Sequence, residues 1–438
     1  LVDEKYLKFD TDMTEANQTI DDILALQPQF QAVIDETTGK DVISAPEIIL
    51  ARNGEANLKT RLDKEHQEVT AQLAQIVTLV EPRLVTETED TSRINRTIDK
   101  LGELGGIVYL PPFEYVASAN ESIKVKDNIT LLGQGKKSSV ITSTGERTDY
   151  VVEVIGDNVS IMDIGFNLND RTTGSDISQF KSAIVVNESV KTVSVKGNSF
   201  ESGFSGVWLR PSENNVVKDI TITENDFNYL GHAILFGEYG VGEVVSGYID
   251  TVSVTLNRIH NGLHQSDGIK TMRNIRNTLI SLNTITTQKR DGIDLFTSAD
   301  NVVVSENIIK NNDIVGIDIK HSDSDYPAEY NGFNHKIIIS KNIISHNKNE
   351  GIAIAQIQHS IKDSYLISVE QNSISDNGRD GIMANTNYTN IKGNMVYRNG
   401  LEKTNFVGAG IRVHPRYERN LKGVNINDNI VLNNGNGT

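Results

Sequence analysis

V-V-V-S-E-N-I-I (302–309) and I-I-I-S-K-N-I-I (337–344) repeat one pattern, a short apolar strand that turns at an asparagine. The same pattern stands at V-S-V-K-G-N-S-F (193–200), I-T-I-T-E-N-D-F (220–227), V-S-V-T-L-N-R-I (252–259), T-N-I-K-G-N-M-V (389–396) and V-N-I-N-D-N-I-V (424–431), mostly with strict apolar–polar alternation. The turn asparagines Asn198, Asn225, Asn257, Asn283, Asn307, Asn342, Asn372, Asn394 and Asn429 are 22 to 35 residues apart. A constant motif at irregular spacing means fixed strands joined by loops of variable length. A second strand follows in each unit and usually opens on glycine, as in G-I-K-T-M (268–272), G-I-D-L-F (292–296), G-I-D-I-K (316–320) and G-I-A-I-A (351–355). Period-2 strands without intervening helices, and with few tight-hairpin signals, predict a mainly β fold: a right-handed parallel β-helix with coils stacked ~4.8 Å apart. Inward Ile, Val and Leu fill its core, and the asparagines are predicted to form an amide ladder.

Outside this repeat the chain changes character. Residues 1–85 read as a helical stem: Ile20, Ile23, Leu24, Phe30, Val33 and Ile34 form a stripe interrupted by Pro28, and Leu62, Val69 and Ile76 recur every seven residues beside His66, Leu73 and Val80. So narrow a seam on a polar helix predicts a coiled coil that self-associates, with His66 a seam residue. Residues 86–120 are expected to hold a capping helix and the first strand, and residues 121–438 the β-helix. Thr438 follows a unit with no closing cap, which predicts continuation of the native polypeptide, and a start at Leu1 predicts a trimmed chain.

The 438 residues include 42 basic and 58 acidic ones, a formal charge of −16, and no cysteine. This composition excludes a disulfide scaffold, a zinc–thiolate site and a cysteine nucleophile. The acidic balance argues against a nucleic-acid partner, and no apolar run is long enough for a membrane span.

T-S-R-I-N-R-T-I-D-K-L-G-E-L-G-G-I-V-Y-L-P-P-F-E-Y (91–115) with S-I-K-V-K-D-N-I-T-L-L-G-Q-G (122–135) resembles the entry to pectate-lyase-like β-helix domains, where a helix caps the open end of the solenoid. D-V-I-S-A-P-E-I-I-L-A-R-N-G-E-A-N-L-K-T-R-L-D (41–63) is similar to the stem of tail and pre-neck appendage proteins of phages that infect Gram-positive bacteria. Together they resemble a homotrimeric phage tailspike. That resemblance implies a virion location, contacts with other tail proteins through the stem, and a bacterial surface polysaccharide or teichoic acid as partner.

Aligning the second strands on glycine gives two rows. Two residues after that glycine, or after the alanine that replaces it at Ala183 and Ala233, stand Val185, Trp208, Leu235, Lys270, Asp294, Asp318, Ala353, Met383 and Arg412; just before it stand Ser182, Ser205, His232, Asp267, Asp291, Val315, Glu350, Asp380 and Ala409. Asp267, Asp291, Asp294 and Asp318 therefore fall in three successive coils, with Lys270 among them. Ionised carboxylates ~5 Å apart repel, so their pKa values split into an acid and a base, as glycoside hydrolysis requires. S-D-G-I-K (266–270) and R-D-G-I-D (290–294) also resemble the N-T-D-G-I-D strand of polygalacturonase-type glycosidases, which implies catalytic roles for Asp267 and Asp291. The Asp-Asp doublet, Gly-His-Gly and Arg-x-Lys of that family have no match. Asp before Gly also suits a turn in which Asp caps the backbone and Gly takes positive φ, the reading preferred for Glu350 and Asp380.

Trp208, with Arg210 beside it, and Phe296 are expected to project outward, where rings stack on sugar faces. The insertion beginning at Lys320 and His321 is expected to shape a binding surface. The expectation is a polysaccharide depolymerase of glycoside-hydrolase type that needs no cofactor. The rival readings are a non-catalytic receptor-binding fibre and a calcium-dependent lyase in which the stacked oxygens hold Ca²⁺.

Overall fold

The computed structural model describes residues 77–143, 150–169, 181–212, 214–237, 247–263, 266–272, 274–296, 298–320, 334–355, 365–401, 408–414 and 421–435, together with Lys64. The helical stripe, the seam up to Ile76 and the phage-like segment 41–63 lie outside them, whereas Val80, assigned to that seam, packs against the solenoid core and donates its N–H to the Tyr109 carbonyl. The chain divides into a unit Leu1–Leu73 and a unit Ala74–Thr438, and all the described strands belong to the second.

Among the described residues every strand pairing in this unit is parallel. Thirteen strands, from Val77–Leu79 to Asn425–Asn427, form one sheet in which each pairs with the equivalent strand of the next coil. The other strands form two further columns, one from Phe113–Ala117 to Ile430–Leu432 and one from Ile123–Val125 to Ile411–Val413, fused where Ser199–Leu209 and Asp226–Phe236 run through both. This is the expected parallel β-helix. One difference falls at its start: Val77–Leu79 pairs with Ile107, Val108 and Tyr109 as a strand of the solenoid, whereas the sequence placed these residues in the helical stem.

The alternation dictates the register. Val195, Ile222, Val254, Ile280, Val304, Ile339, Val369, Ile391 and Ile426 stack in one file through consecutive coils, and Ile184, Val207, Ile234, Ile269, Ile293, Ile317, Ile352, Ile382 and Ile411 in another. Each such side chain, wholly buried in the middle coils, contributes roughly 1.5–3 kcal/mol. Branching at Cβ suits the pleat.

The corners have their own chemistry. The residue before each ladder asparagine is left-handed: φ is 58° at Glu224, 58° at Leu256, 59° at Leu282 and 57° at Glu306. Side chains at such φ cost ~1–2 kcal/mol each. The asparagine offsets this cost. Asn307 accepts from the backbone N–H and the Nδ2 of Asn283 (both 3.0 Å), and its own Nδ2 donates to the Ile280 carbonyl (2.9 Å) and to Asn342 Oδ1 (3.0 Å). The same bonds run from Asn198 to Asn429. A second ladder, not foreseen, stands five residues on: Asn312, Asn347, Asn377, Asn399 and Asn434.

The glycines that open the second strands are not at positive φ. A Cβ on Gly292 would lie 2.7 Å from the Gly316 carbonyl oxygen, and one on Gly316 would lie 2.5 Å from that of Gly351. Coil-to-coil crowding selects glycine here, so the turn explanation gives way to a packing one.

Helix α1 (Thr91–Leu101) covers the first coil. It buries Ile94, Ile98 and Leu101, which join the core, and packs on Ile123–Val125, a strand paired on one side only. Buried Asp90 at its start accepts from the Val116 N–H (2.6 Å) and pairs with Arg83. At the opposite end Ile426, Ile430 and Leu432 are about half exposed.

Candidate active site

The two aligned rows are real rungs. Trp208, Leu235, Lys270, Asp294, Asp318, Ala353, Met383 and Arg412 are consecutive Cα partners, as are Ser182, Ser205, His232 and Asp267. One carboxylate oxygen each from Asp267, Asp291 and Asp294 lies within 4.8 Å of the others. Asp318 joins them through Lys320, whose Nζ is 3.2 Å from Asp291 Oδ2, 3.2 Å from Asp294 Oδ2 and 2.9 Å from Asp318 Oδ2. Lys270 Nζ bridges Asp267 Oδ2 (3.0 Å) and Asp294 Oδ2 (2.6 Å).

The glycine-preceding aspartates also bind backbone. Asp267 Oδ1 accepts the Asp291 N–H (3.1 Å), Asp291 Oδ1 the Val315 N–H (3.0 Å) and Asp380 Oδ1 the Ala409 N–H (2.6 Å). One oxygen tethers the next coil and leaves the other for the charge cluster. The structural and chemical readings of Asp267 and Asp291 thus coexist in one side chain.

Electrostatics splits the set. Burial alone would raise Asp267, but the Lys270 ammonium beside it drives its pKa well below the carboxylate range. Asp291 is pushed up to about 8 by burial, which Lys320 only partly opposes and which Asp318 reinforces. Asp318 is raised by burial as well, against the pull of Lys320. Both lysines titrate above their ordinary value: burial disfavours their charge, but Asp267 and Asp294 overcome this for Lys270, and Asp294, Asp318 and Asp291 for Lys320. The Oδ1 atoms of Asp294 and Asp318 are buried without a hydrogen-bond donor among the described residues.

Two neighbours were passed over in the sequence. His232 Nδ1 accepts the Asp267 N–H (3.3 Å), and burial lowers its pKa to about 4, so the ring is neutral at neutral pH. Its place in the row before glycine was the available signal. Arg290 Nε lies 3.8 Å from Asp267 Oδ1.

The remaining expected residues divide. Half-buried Phe296 has its ring 5.8 Å from Lys270 Nζ, so it borders the cluster. Trp208 does not offer an exposed ring: it points away from the solenoid interior but is only 2% exposed, packed with Val185, Leu235 and Met272 in a second apolar cluster, its Nε1 donating to the Gly237 carbonyl (2.8 Å). The apolar cover on the outer face of this column reverses the expectation. Arg210 stacks over that indole at 4.8 Å, and two rungs separate Trp208 from Lys270. His321 lies outside the described residues.

The oxygen cluster does not suit calcium. Ca²⁺ takes 6–8 oxygen ligands, and here the Lys270 and Lys320 ammoniums already stand between the carboxylates at 2.6–3.2 Å. A divalent ion would have to displace both.

This architecture carries a recognisable class. A family model described as a right-handed β-helix region matches residues 164–359, and the fold is that of a right-handed parallel β-helix protein. No curated protein sequence matches the chain. Among solved structures it is similar to the A-module of mannuronan C-5 epimerase AlgE6 of Azotobacter vinelandii (TM-score 0.53, 16% identity, 74% of this chain and 76% of that one). It is similar to the catalytic unit of a thermostable GH87 α-1,3-glucanase of Streptomyces thermodiastaticus strain HF3-3 (0.52, 14%, 80% and 67%), and to the Dettilon tailspike protein (0.52, 15%, 83% and 69%). At these identities the likeness is one of fold.

Proposed function

We propose that the chain binds and hydrolyses a bacterial cell-surface glycopolymer at the Asp267–Asp291–Asp294–Asp318 cluster. The observation that carries this reading is the crowding of the Asp267, Asp291 and Asp294 carboxylates, one oxygen of each within 4.8 Å of the others, where burial raises Asp291 while Lys270 holds Asp267 low. That spacing is nearer the ~5 Å carboxyl separation of retaining enzymes than the ~6.5 Å and more of inverting ones. We assign Asp294 Oδ1, which no described residue supplies with a donor, as the nucleophile. It attacks the anomeric carbon as the glycosidic C–O bond breaks, and the Asp291 proton passes to the leaving oxygen. Water, deprotonated by Asp291, then attacks the same carbon and releases Asp294. Lys270 and Lys320 fix the carboxylates and balance their charge. Asp318 and Lys320, each with a side chain 13% exposed, form the edge nearest solvent.

The test is incubation with purified wall polysaccharide, capsule and teichoic acid, following reducing ends, phosphate, polymer length and the anomeric configuration of the first product. Release with retained configuration supports the reading; unchanged polymer ends it.

A second reading has its own support. Asp267 and Asp294 are fully buried, as in a structural ion network, and the chain would then be a receptor-binding fibre that does not cut. Adsorption to cells without any product favours that reading. The placement on a phage tail, as a homotrimer joined to other tail proteins through residues 1–85, rests on the stem resemblance. Light scattering on the full chain and detection of the polypeptide in purified virions test it.

A further inference from the structure

A cavity of about 340 Å³ opens on the same column, beyond the acidic cluster, lined among others by Glu350, Arg379, Asp380, Met383, Arg412 and His414. The file Asp318, Ala353, Met383, Arg412 leads into it one coil at a time. Met383 thus stands two coils, ~10 Å, past Asp318. The volume falls in the range of small-molecule sites.

Its charges come in pairs. Arg412 Nε is 2.9 Å from Asp380 Oδ2, and Arg379 Nη1 is 3.9 Å from Glu350 Oε1. Asp380 is held from the other side by the Ala409 N–H, so its carboxylate cannot turn away from the cavity. Among the described residues, two guanidiniums face two carboxylates, so these side chains together add no net charge to the walls. An anion entering here meets two carboxylates as well as two arginines. A hydroxyl, which both donates and accepts, meets a partner of each kind, and two adjacent hydroxyls match the side-by-side donor and acceptor of an ion pair. Met383 supplies an apolar surface for a ring face.

We propose that this cavity is a binding subsite for an uncharged sugar unit bearing vicinal hydroxyls, two to three coils from the reaction centre. The inference rests on the reading of the chain as a glycopolymer-binding protein. It adds that the polymer lies along the solenoid axis and is gripped at a distance from the scissile bond, so the chain cuts or holds internal stretches and carries a neutral sugar in its repeat.

Saturation-transfer NMR on the full chain tests this, with D-glucose, D-galactose and D-mannose in one arm and D-glucuronate and glycerol 3-phosphate in the other. Wild type, Asp291→Asn, Arg379→Gln and Arg412→Gln are compared. The expected result is transfer to at least one neutral hexose in wild type and Asp291→Asn, weakened about tenfold or more in both arginine variants, since each loses charge-assisted hydrogen bonds to hydroxyls. Where a cleavable polymer is in hand, the two arginine variants raise KM far more than they lower kcat. Stronger transfer to the two anions than to any hexose overturns the proposal, as does unchanged hexose transfer in both arginine variants. Arg379→Gln decides alone if Arg412→Gln, which leaves Asp380 unpaired, does not fold. Failure to detect cleavage leaves this readout intact, so the subsite and the hydrolytic reading fall separately.

Discussion

Asp291→Asn isolates the proton held in the cluster. In the folded chain Asp291 titrates at about 8 against an ordinary 3.8, so between those values the native state binds one proton more than the unfolded state. The sign follows from linkage: stability falls as pH rises through that window, by about 1.4 kcal/mol per pH unit for one proton, and levels off above pH ~8. Asparagine cannot ionise, so this slope vanishes in the variant. Glu350, also raised by burial, is present in both proteins and cancels in the difference. Over the two units from about pH 5 to about pH 7 the stability gap should move toward the variant by about 3 kcal/mol. Urea unfolding of both proteins at matched ionic strength, followed by circular dichroism, reads this directly. Parallel stability–pH curves would mean that Asp291 ionises like a surface carboxylate, and the acid role assigned to it would go.

Three other outcomes follow from the geometry. Lys320→Met removes the ammonium shared by Asp291, Asp294 and Asp318 at 2.9–3.2 Å; uncompensated buried charge should cost about 3–5 kcal/mol in urea unfolding, and a loss below about 1 kcal/mol contradicts the network. Asn307→Ala leaves the buried Asn283 N–H without its acceptor, for about 3 kcal/mol of destabilisation, with hydrogen exchange faster in the coils on either side than in distant ones; uniform exchange refutes a nearest-neighbour ladder. Because two ammoniums fill the positions between the carboxylates, chelators should leave polymer release unchanged. A chelator-sensitive rise in ultraviolet absorbance would restore the calcium-lyase reading.

How far the sequence carried depends on what each residue answers to. The nine ladder asparagines and the outward rows were legible because a solenoid converts spacing along the chain into superposition. Any residue fixed relative to Gly292 or Asn307 has its neighbour defined in the next coil. The second ladder has a signal of the same kind, since Asn312, Asn347, Asn377, Asn399 and Asn434 each follow a first-ladder asparagine by five residues, but that offset falls outside the strand motif. Trp208 was misjudged for a different reason. Alternation says which way a side chain points from the strand, and nothing about whether other parts of the chain cover it. The glycines opening the second strands were placed correctly and explained wrongly, because turn preference and coil-to-coil crowding select the same residue. The cavity at Glu350 and Asp380 was invisible for lack of a local signal: its ion pairs join coils 29 residues apart or more.

The direct test of the central claim is the rate at which wild type, Asp291→Asn and Asp294→Asn release reducing ends from one surface polymer under identical conditions. A stacked-carboxylate reaction centre predicts release by wild type and a loss of about 10²–10⁴-fold in each variant, with all three proteins folded by circular dichroism. Equal rates in the three would place the chemistry elsewhere and leave these aspartates as struts of the solenoid.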